Sequence, residues 1–233
     1  MDNKTVTMSI PYFDIILLTI IGLLELGFAL YIFTKYQRSQ AITFFGLAVL
    51  FISGWVLTNG DGMLLTPGSA AFELVGKATF AFAAFIFPFF YLFIIAFPYQ
   101  SAQIGRRLVF FVLLTPAVII GLLFFTDSLI KDFGNTHVGT PLYGPYFILY
   151  VIYCLLIYGL IFVEIFLKMP RLEGMRRWQM KLLMIAFFFS GVIGLMVNLI
   201  LPYFSEIQLN YWLGPASSFI LLGLIWYIVI RKN

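Results

Sequence analysis

Cysteine and histidine each occur once in this sequence. Cys154 has no second thiol with which to form an intramolecular disulfide. Together with His137 it is too little to build a cysteine–histidine zinc site, so no metal is expected. Charge is also scarce. Asp, Glu, Lys and Arg make up 10% of the chain, against about 25% in an average soluble domain. So few charges cannot cover a water-soluble globule. HExxH, GxSxG, P-loop and glycine-rich nucleotide motifs are missing, and nothing marks a nucleic-acid partner. The last apolar run, "YWLGPASSFILLGLIWYIVI", has no lysine for a retinal Schiff base. His137 lacks the makings of a triad and reads as a loop residue. No enzyme and no cofactor is expected.

Apolar sequence is what the chain has in excess: 62% hydrophobic and 19% aromatic residues over 233 positions. It recurs in runs that cross a hydrocarbon core ~30 Å thick at 1.5 Å per residue. Polar breaks divide it into seven spans, 11–34, 41–59, 71–97, 106–126, 144–167, 178–201 and 211–231. Runs such as "FAFAAFIFPFFYLFIIAF" do not alternate at period two, so helices are expected rather than barrel strands. The first run is longer than a signal-peptide core and lacks a basic leader and a cleavage site. The expected fold is all-α: a polytopic membrane protein with one seven-transmembrane-helix bundle domain over 1–233.

Basic residues set the expected orientation. The breaks after spans 1, 3, 5 and 7 hold Lys35, Arg38, Arg106, Arg107, Lys168, Arg171, Arg176, Arg177, Lys181, Arg231 and Lys232, eleven of the 14. By the positive-inside rule those breaks are cytosolic and the N-terminus is outside. A cytosolic C-terminus then requires an odd number of spans. The expected home is the bacterial cytoplasmic membrane. Among the outer breaks only 127–143 has any size, and its Gly, Asn, Thr and Pro content suits a hairpin or lid. Two residues follow Arg231, so the expectation is a unit that works with its helices and short loops.

The stretch "IIGLLELGFAL" puts one carboxylate, Glu25, inside an apolar run. Such a group is costly at membrane depth and should face the bundle interior, protonated or hydrogen-bonded. It either ties two helices together or serves signalling, proton transfer or ligand binding. Tyr146, Tyr150 and Tyr153 share a face of the fifth span, the candidate partner face for Glu25. Tyr146 fits an interfacial aromatic belt, whereas the deeper Tyr150 and Tyr153 each need a hydroxyl partner. Glu164 and Lys168, four apart, read as a pair at the headgroups.

Ser190, Gly194 and Asn198 recur at spacing four on the sixth span, and Gly214 and Ser218 on the seventh. Small residues at that spacing let helices pack closely, but the Asn198 amide must be satisfied. Pro88 and Pro116 remove backbone bonds inside the third and fourth spans and are expected to kink them. Asn59, Asp61, Glu73, Lys77 and Asn198 are candidates for a cluster at the outer mouth, with Glu73 and Lys77 also reading as a pair. The ligand or switch candidates are Glu25, Tyr150, Tyr153, Asn198, Asn59 and Lys77. Arg171, Arg176, Arg177 and Lys181 are candidates for contact with a partner or with anionic lipid.

Several stretches carry a resemblance. They are Trp55, the aromatic "FPFFYLFIIAFP", "YGPYFILYVIYCLLIYGLIF" after the outer loop, and "RRWQMKLLMIAFFFSGVIGLMVNLILP" with its basic entry and late Asn. In their order the chain resembles the N-terminal seven-helix sensory region of bacterial histidine kinases. The resemblance implies a receptor domain without catalytic residues. It would pass a helix movement to a cytosolic effector such as a histidine kinase. No phosphoacceptor histidine or ATP-binding region accompanies it in this sequence. The leading expectation is a sensor of a small or lipophilic signal, with the fifth and sixth helices moving and "KMPRLEGMRRWQMK" reporting to a separate cytosolic protein. The alternatives are a small proton-coupled transporter or channel using Glu25, and an accessory subunit of a membrane complex.

Overall fold

Ser39 and Ser69 start two helices by the same device. Ser39 Oγ accepts from the Ile42 amide at 3.3 Å, and Ser69 Oγ from the Phe72 amide at 3.2 Å. Each thereby satisfies one of the amides that a helix start leaves without a partner. The helices they cap are α2 (Gln40–Gly62) and α3 (Ala70–Ala96). They belong to a computed structural model that describes residues 12–36, 39–98, 103–134, 141–205 and 213–229. The remaining elements are α1 (Tyr12–Lys35), α4 (Arg106–Phe125), β1 (Ile130–Asp132), β2 (Leu142–Tyr143), α5 (Phe147–Lys168), α6 (Gly174–Leu195), α7 (Leu201–Ser205) and α8 (Leu213–Val229). A π turn, Met196–Ile200, joins α6 to α7 without a break. His137, Arg38, Arg231 and Lys232 lie outside the described residues.

Among the described residues six helices are long and apolar enough to cross a membrane, and Leu213–Ile228 is a shorter apolar helix. They match the seven expected spans to within a few residues, with two physical corrections. The fifth helix starts at Phe147 rather than 144, because Gly144 and Tyr146 give their amides to Leu129 and Ser128 of the preceding strand segment. The sixth starts at Gly174, with φ +53°, and not at 178. Hydropathy ends a span where the charges begin, but helical hydrogen bonding continues through charged residues. Arg176, Arg177 and Lys181 therefore stand on a helix, exposed, with Arg171 exposed just before it.

A hairpin, as expected over 127–143, is present. β1 and β2 pair antiparallel, Ile130 with Tyr143 and Asp132 with Leu142, across a bulge. Phe133 follows β1 and packs into the space left by Gly76 of α3, where a side chain would collide with its ring. The hairpin is thus pinned to the end of the bundle.

Helix packing is sequential from α1 to α3, with α4 and α5 both leaning on α3, and α6 pairing with α8. Ser53 of α2 donates to the Gly22 carbonyl of α1 at 2.8 Å. The phenyl rings of α2 and α3 interlock, Phe51 lying 4.8 Å from Phe85 and 5.1 Å from Phe89 between ring centres. Large apolar side chains such as Ile16, Ile20, Leu23, Phe110, Phe111, Leu156 and Phe166 point outward. In a membrane protein that outward apolar belt is the lipid-facing surface.

Proline explains how α5 is held to α3. Pro88 sits inside α3, which runs on through it, and has no amide to give the carbonyl four residues back, that of Ala84. Tyr153 of α5 donates its hydroxyl to that Ala84 carbonyl at 2.7 Å. One turn earlier Tyr150 donates to the Phe80 carbonyl at 3.1 Å. At the far end Pro98 leaves the Ile94 carbonyl in the same position, and Lys168 Nζ reaches it at 2.7 Å. The same ammonium meets the Ile95 and Phe97 carbonyls at 2.5 and 3.0 Å. Lys168 is therefore more than a partner for Glu164, which stands at 3.4 Å. It caps the C-terminus of α3. α4 likewise continues through Pro116.

Tyr153→Phe should cost about 1–2 kcal/mol by leaving the Ala84 carbonyl without a partner in an apolar interior. Pro88→Ala restores an amide for that carbonyl, so Tyr153→Phe should cost less in that background. Thermal melting of the four proteins in detergent checks this. Equal costs in both backgrounds would refute the assignment.

Candidate functional site

α6 and α8 are joined along most of their length. Gln179 Nε2 donates to the Ile228 carbonyl at 2.9 Å. In the middle, Ser190 Oγ donates to the Ser217 carbonyl at 2.8 Å. Toward the hairpin end, Gly214 of α8 gives room to Asn198, since a side chain at 214 would collide with that amide and touch the Trp55 ring. From 179 to 198 these ties cover ~28 Å at the helical rise per residue. These ties make α8 the principal neighbour of α6.

The π turn that carries Asn198 also has a proline as its cause. Pro202 has no amide, and its ring crowds the carbonyl four residues earlier, that of Asn198 itself. The backbone widens by one residue, so Leu201 bonds back to Met196. The Asn198 amide donates to the Gly194 carbonyl at 3.0 Å within this loosened turn. π turns inside helices occur frequently at functional sites.

Between the α6–α8 pair and the α2–α3–α5 side lies a cavity of about 260 Å³. Trp55 and Asn59 come from α2, Phe80 and Phe87 from α3, Tyr150 and Cys154 from α5. Ser190, Gly194 and Asn198 face them from α6 and the π turn, with Gly214, Ser217 and Ser218 from α8. Phe133, Pro141 and Tyr143 bring the hairpin region over one end. Phe90 and Phe187, 4.9 Å apart between centres and both buried, join the wall between α3 and α6. The lining is mostly aromatic and aliphatic, with amides and hydroxyls. It includes no Asp, Glu, Lys, Arg or His among the described residues.

Glu25 stands behind this wall. It is 1% exposed, and its partner is on α8 rather than on the tyrosine face of α5. The α5 hydroxyls are already spent on α3, Tyr153 on the Ala84 carbonyl that Pro88 frees and Tyr150 on that of Phe80. Ser218 Oγ lies 2.9 Å from Glu25 Oε1 and 2.7 Å from the carbonyl of Pro215. A hydroxyl has one proton, so Ser218 can give it to Glu25 or keep it within its own helix. Glu25 Oε2 is buried without a hydrogen-bond partner. The link between α1 and α8 is therefore exchangeable.

The sequence candidates separate accordingly. Tyr150, Asn59 and Asn198 meet around one cavity. Tyr153 is buried on the same helix face, bonded to α3, and does not line the cavity. Lys77 also lies off the lining, its Nζ 2.6 Å from Glu73. The mouth cluster of five polar residues thus divides: two asparagines line the cavity, while Asp61, Glu73 and Lys77 do not. Tyr146 is 57% exposed, as a belt residue should be. Sequence reasoning missed Cys154 and Ser190 as lining residues and took Ser218 for packing. Ser217 and Ser218 side by side in an apolar run were the available signal.

A family model described as the N-terminal 7TM region of histidine kinase matches residues 17–233. No curated protein and no solved structure matches the chain.

Ser218→Ala should cost about 1–3 kcal/mol, because it leaves a buried carboxyl without any partner. Adding Glu25→Leu should recover most of that loss, since no buried polar group then remains unpaired. Thermal melts in detergent read both effects. A double variant as unstable as Ser218→Ala alone would show that the Glu25–Ser218 contact is not the cause.

Proposed function

The chain belongs to the family of N-terminal 7TM regions of histidine kinases, and on that premise we propose that it senses a stimulus within its helix bundle and reports it to a cytosolic partner such as a histidine kinase. It is a multi-pass integral membrane protein, and its family is a sensory region rather than a catalytic one. The observation that carries the finer reading is the division of the bundle. α6 and α8 are tied to each other from Gln179 to Asn198, and a cavity separates much of that pair from α2, α3 and α5.

The pair is held to the rest by contacts that can be exchanged. One is the Ser218–Glu25 bond, whose proton has a second acceptor within α8. Another is Tyr158 of α5, which donates to the Phe187 carbonyl of α6 at 2.9 Å. Near the far end of α8, Trp226 packs among Phe28, Tyr31 and Tyr36 at 5.0–5.9 Å between ring centres. A stimulus that shifts the α6–α8 pair moves this end of α8 and the start of α6 together. Because α5 is bonded to α3, the moving unit in this reading is α6 with α8, not α5 with α6.

The start of α6 carries the exposed Arg176, Arg177 and Lys181. Basic residues after spans 1, 3, 5 and 7 support placing this end in the cytosol and the hairpin outside, in a bacterial cytoplasmic membrane. Arg171, Arg176, Arg177 and Lys181 are then the surface that meets the partner. Glu25 acts as a polar latch between two positions of the pair, and no proton transport is assigned to it.

A photo-crosslinking residue placed within 168–181 should capture a cytosolic histidine kinase in intact cells, identified by mass spectrometry. Its yield should change in Ser218→Ala. Capture of lipid alone, in both proteins, would reduce the segment to a topology signal and overturn this reading.

A further inference from the structure

We propose that the cavity between α2, α3, α5, α6 and α8 is a binding site for an uncharged molecule with a planar ring system and a hydrogen-bonding oxygen. The role of that molecule as the stimulus rests on the sensory reading above; its binding does not.

The described part of the wall disfavours charge. The described lining has no ionic group to meet a carboxylate, a phosphate or an ammonium, and the nearest buried carboxyl, Glu25, stands behind Ser218. Moving an ion from water into such a place without a counter-charge is strongly unfavourable. Ring shape is favoured by the same wall. Trp55, Phe72, Phe80, Phe87 and Tyr143 line one pocket, and aromatic faces and edges select flat partners in offset or edge-on contact. Size follows from the volume, about 260 Å³, near the lower end of ligand pockets and roughly nine water volumes. That suits one or two fused rings rather than a whole lipid.

The oxygen is called for by two amides. Asn59 and Asn198 both line the cavity and flank Trp55: Asn59 Nδ2 donates to the Trp55 carbonyl at 2.7 Å, and Asn198 and the Trp55 ring both press against Gly214. Asn198 spends one N–H on Gly194. A carboxamide has a second N–H and a carbonyl besides, and no other hydrogen bond uses them among the described residues. Ser190 and Ser217, in contrast, spend their hydroxyls inside the α6–α8 pair. Two amides from different elements, α2 and the π turn, are therefore the groups that orient a carbonyl or hydroxyl oxygen. A ligand held by both would bridge the moving pair to α2. Ser218, on the same wall, carries that bridge to Glu25.

The test uses a matched pair of probes, 2-acetylnaphthalene and 2-naphthoate, which share the two-ring frame and differ in charge. Trp178→Phe, Trp212→Phe and Trp226→Phe leave Trp55 as the one tryptophan, excited selectively over tyrosine. In nanodiscs, 2-acetylnaphthalene should quench Trp55 along a saturating curve, and 2-naphthoate should bind at least tenfold more weakly. Asn198→Leu should weaken the ketone about tenfold. Gly194→Phe, at a position where a Cβ meets nothing within 4 Å, should fill the space and abolish saturation while the melting temperature holds. If that variant does not fold, Ala83→Leu on the opposite wall serves instead. Unsaturable quenching, quenching equal in the filled variant, or equal affinity for the naphthoate would overturn the proposal. Binding failure with kinase capture intact would leave the sensory reading standing. Binding without capture would do the reverse.

Discussion

The backbone carbonyl that a proline leaves without an amide is the constraint around which this bundle is arranged. In water such a group is solvated at no cost. In a hydrocarbon layer it must be met by protein. Three of the prolines bear on how packed helices are joined or shaped here. Pro88 and Pro98 act on α3, and Tyr153 and Lys168 of α5 answer them. Pro202 acts on the last turns of the sixth span, and the answer there is a π turn with Asn198 bonded into it. The first two fix which helix α5 serves. The third sets a polar amide at a cavity wall.

Once α5 is committed to α3, the rest of the bundle divides. α6 has α8 as its principal neighbour, joined by Gln179, the paired serines and the Asn198–Gly214 contact. The space between the two bodies is filled incompletely, and what remains is the cavity. Its wall is made from both bodies, so anything bound there touches both. Its polar groups are amides and hydroxyls, which orient a ligand without requiring charge. Glu25 completes the arrangement from behind, with one oxygen on Ser218 and the other unpartnered. A buried polar contact with an alternative acceptor suits a two-position device better than a permanent brace.

Much of this was legible beforehand. Seven helices, the hairpin before the fifth helix, the buried placement of Glu25, the need of Tyr150 and Tyr153 for partners and the pairing of Glu73 with Lys77 all follow from residue type and spacing. Partners across the bundle do not. The tyrosine face of α5 is an apt mate for a buried carboxyl on chemistry alone, yet the carboxyl meets Ser218. The expected mouth cluster joined residues by their polarity, and only Asn59 and Asn198 come to one cavity. Lys77 pairs with Glu73 and does not line the cavity.

Local pattern determined by itself that this is a membrane bundle, where its spans run and which prolines would release a carbonyl. Those properties depend on residues near each other along the chain, through hydrophobicity, helical period and the missing proline amide. Tertiary structure alone decided who satisfies those carbonyls, that α6 packs on α8 rather than on α5, and that Glu25 faces Ser218. The partners are 27 to 193 residues apart in sequence. Helical period says which face a side chain takes, but the packing of apolar surfaces, indifferent to those polar pairs, chooses which helix that face meets.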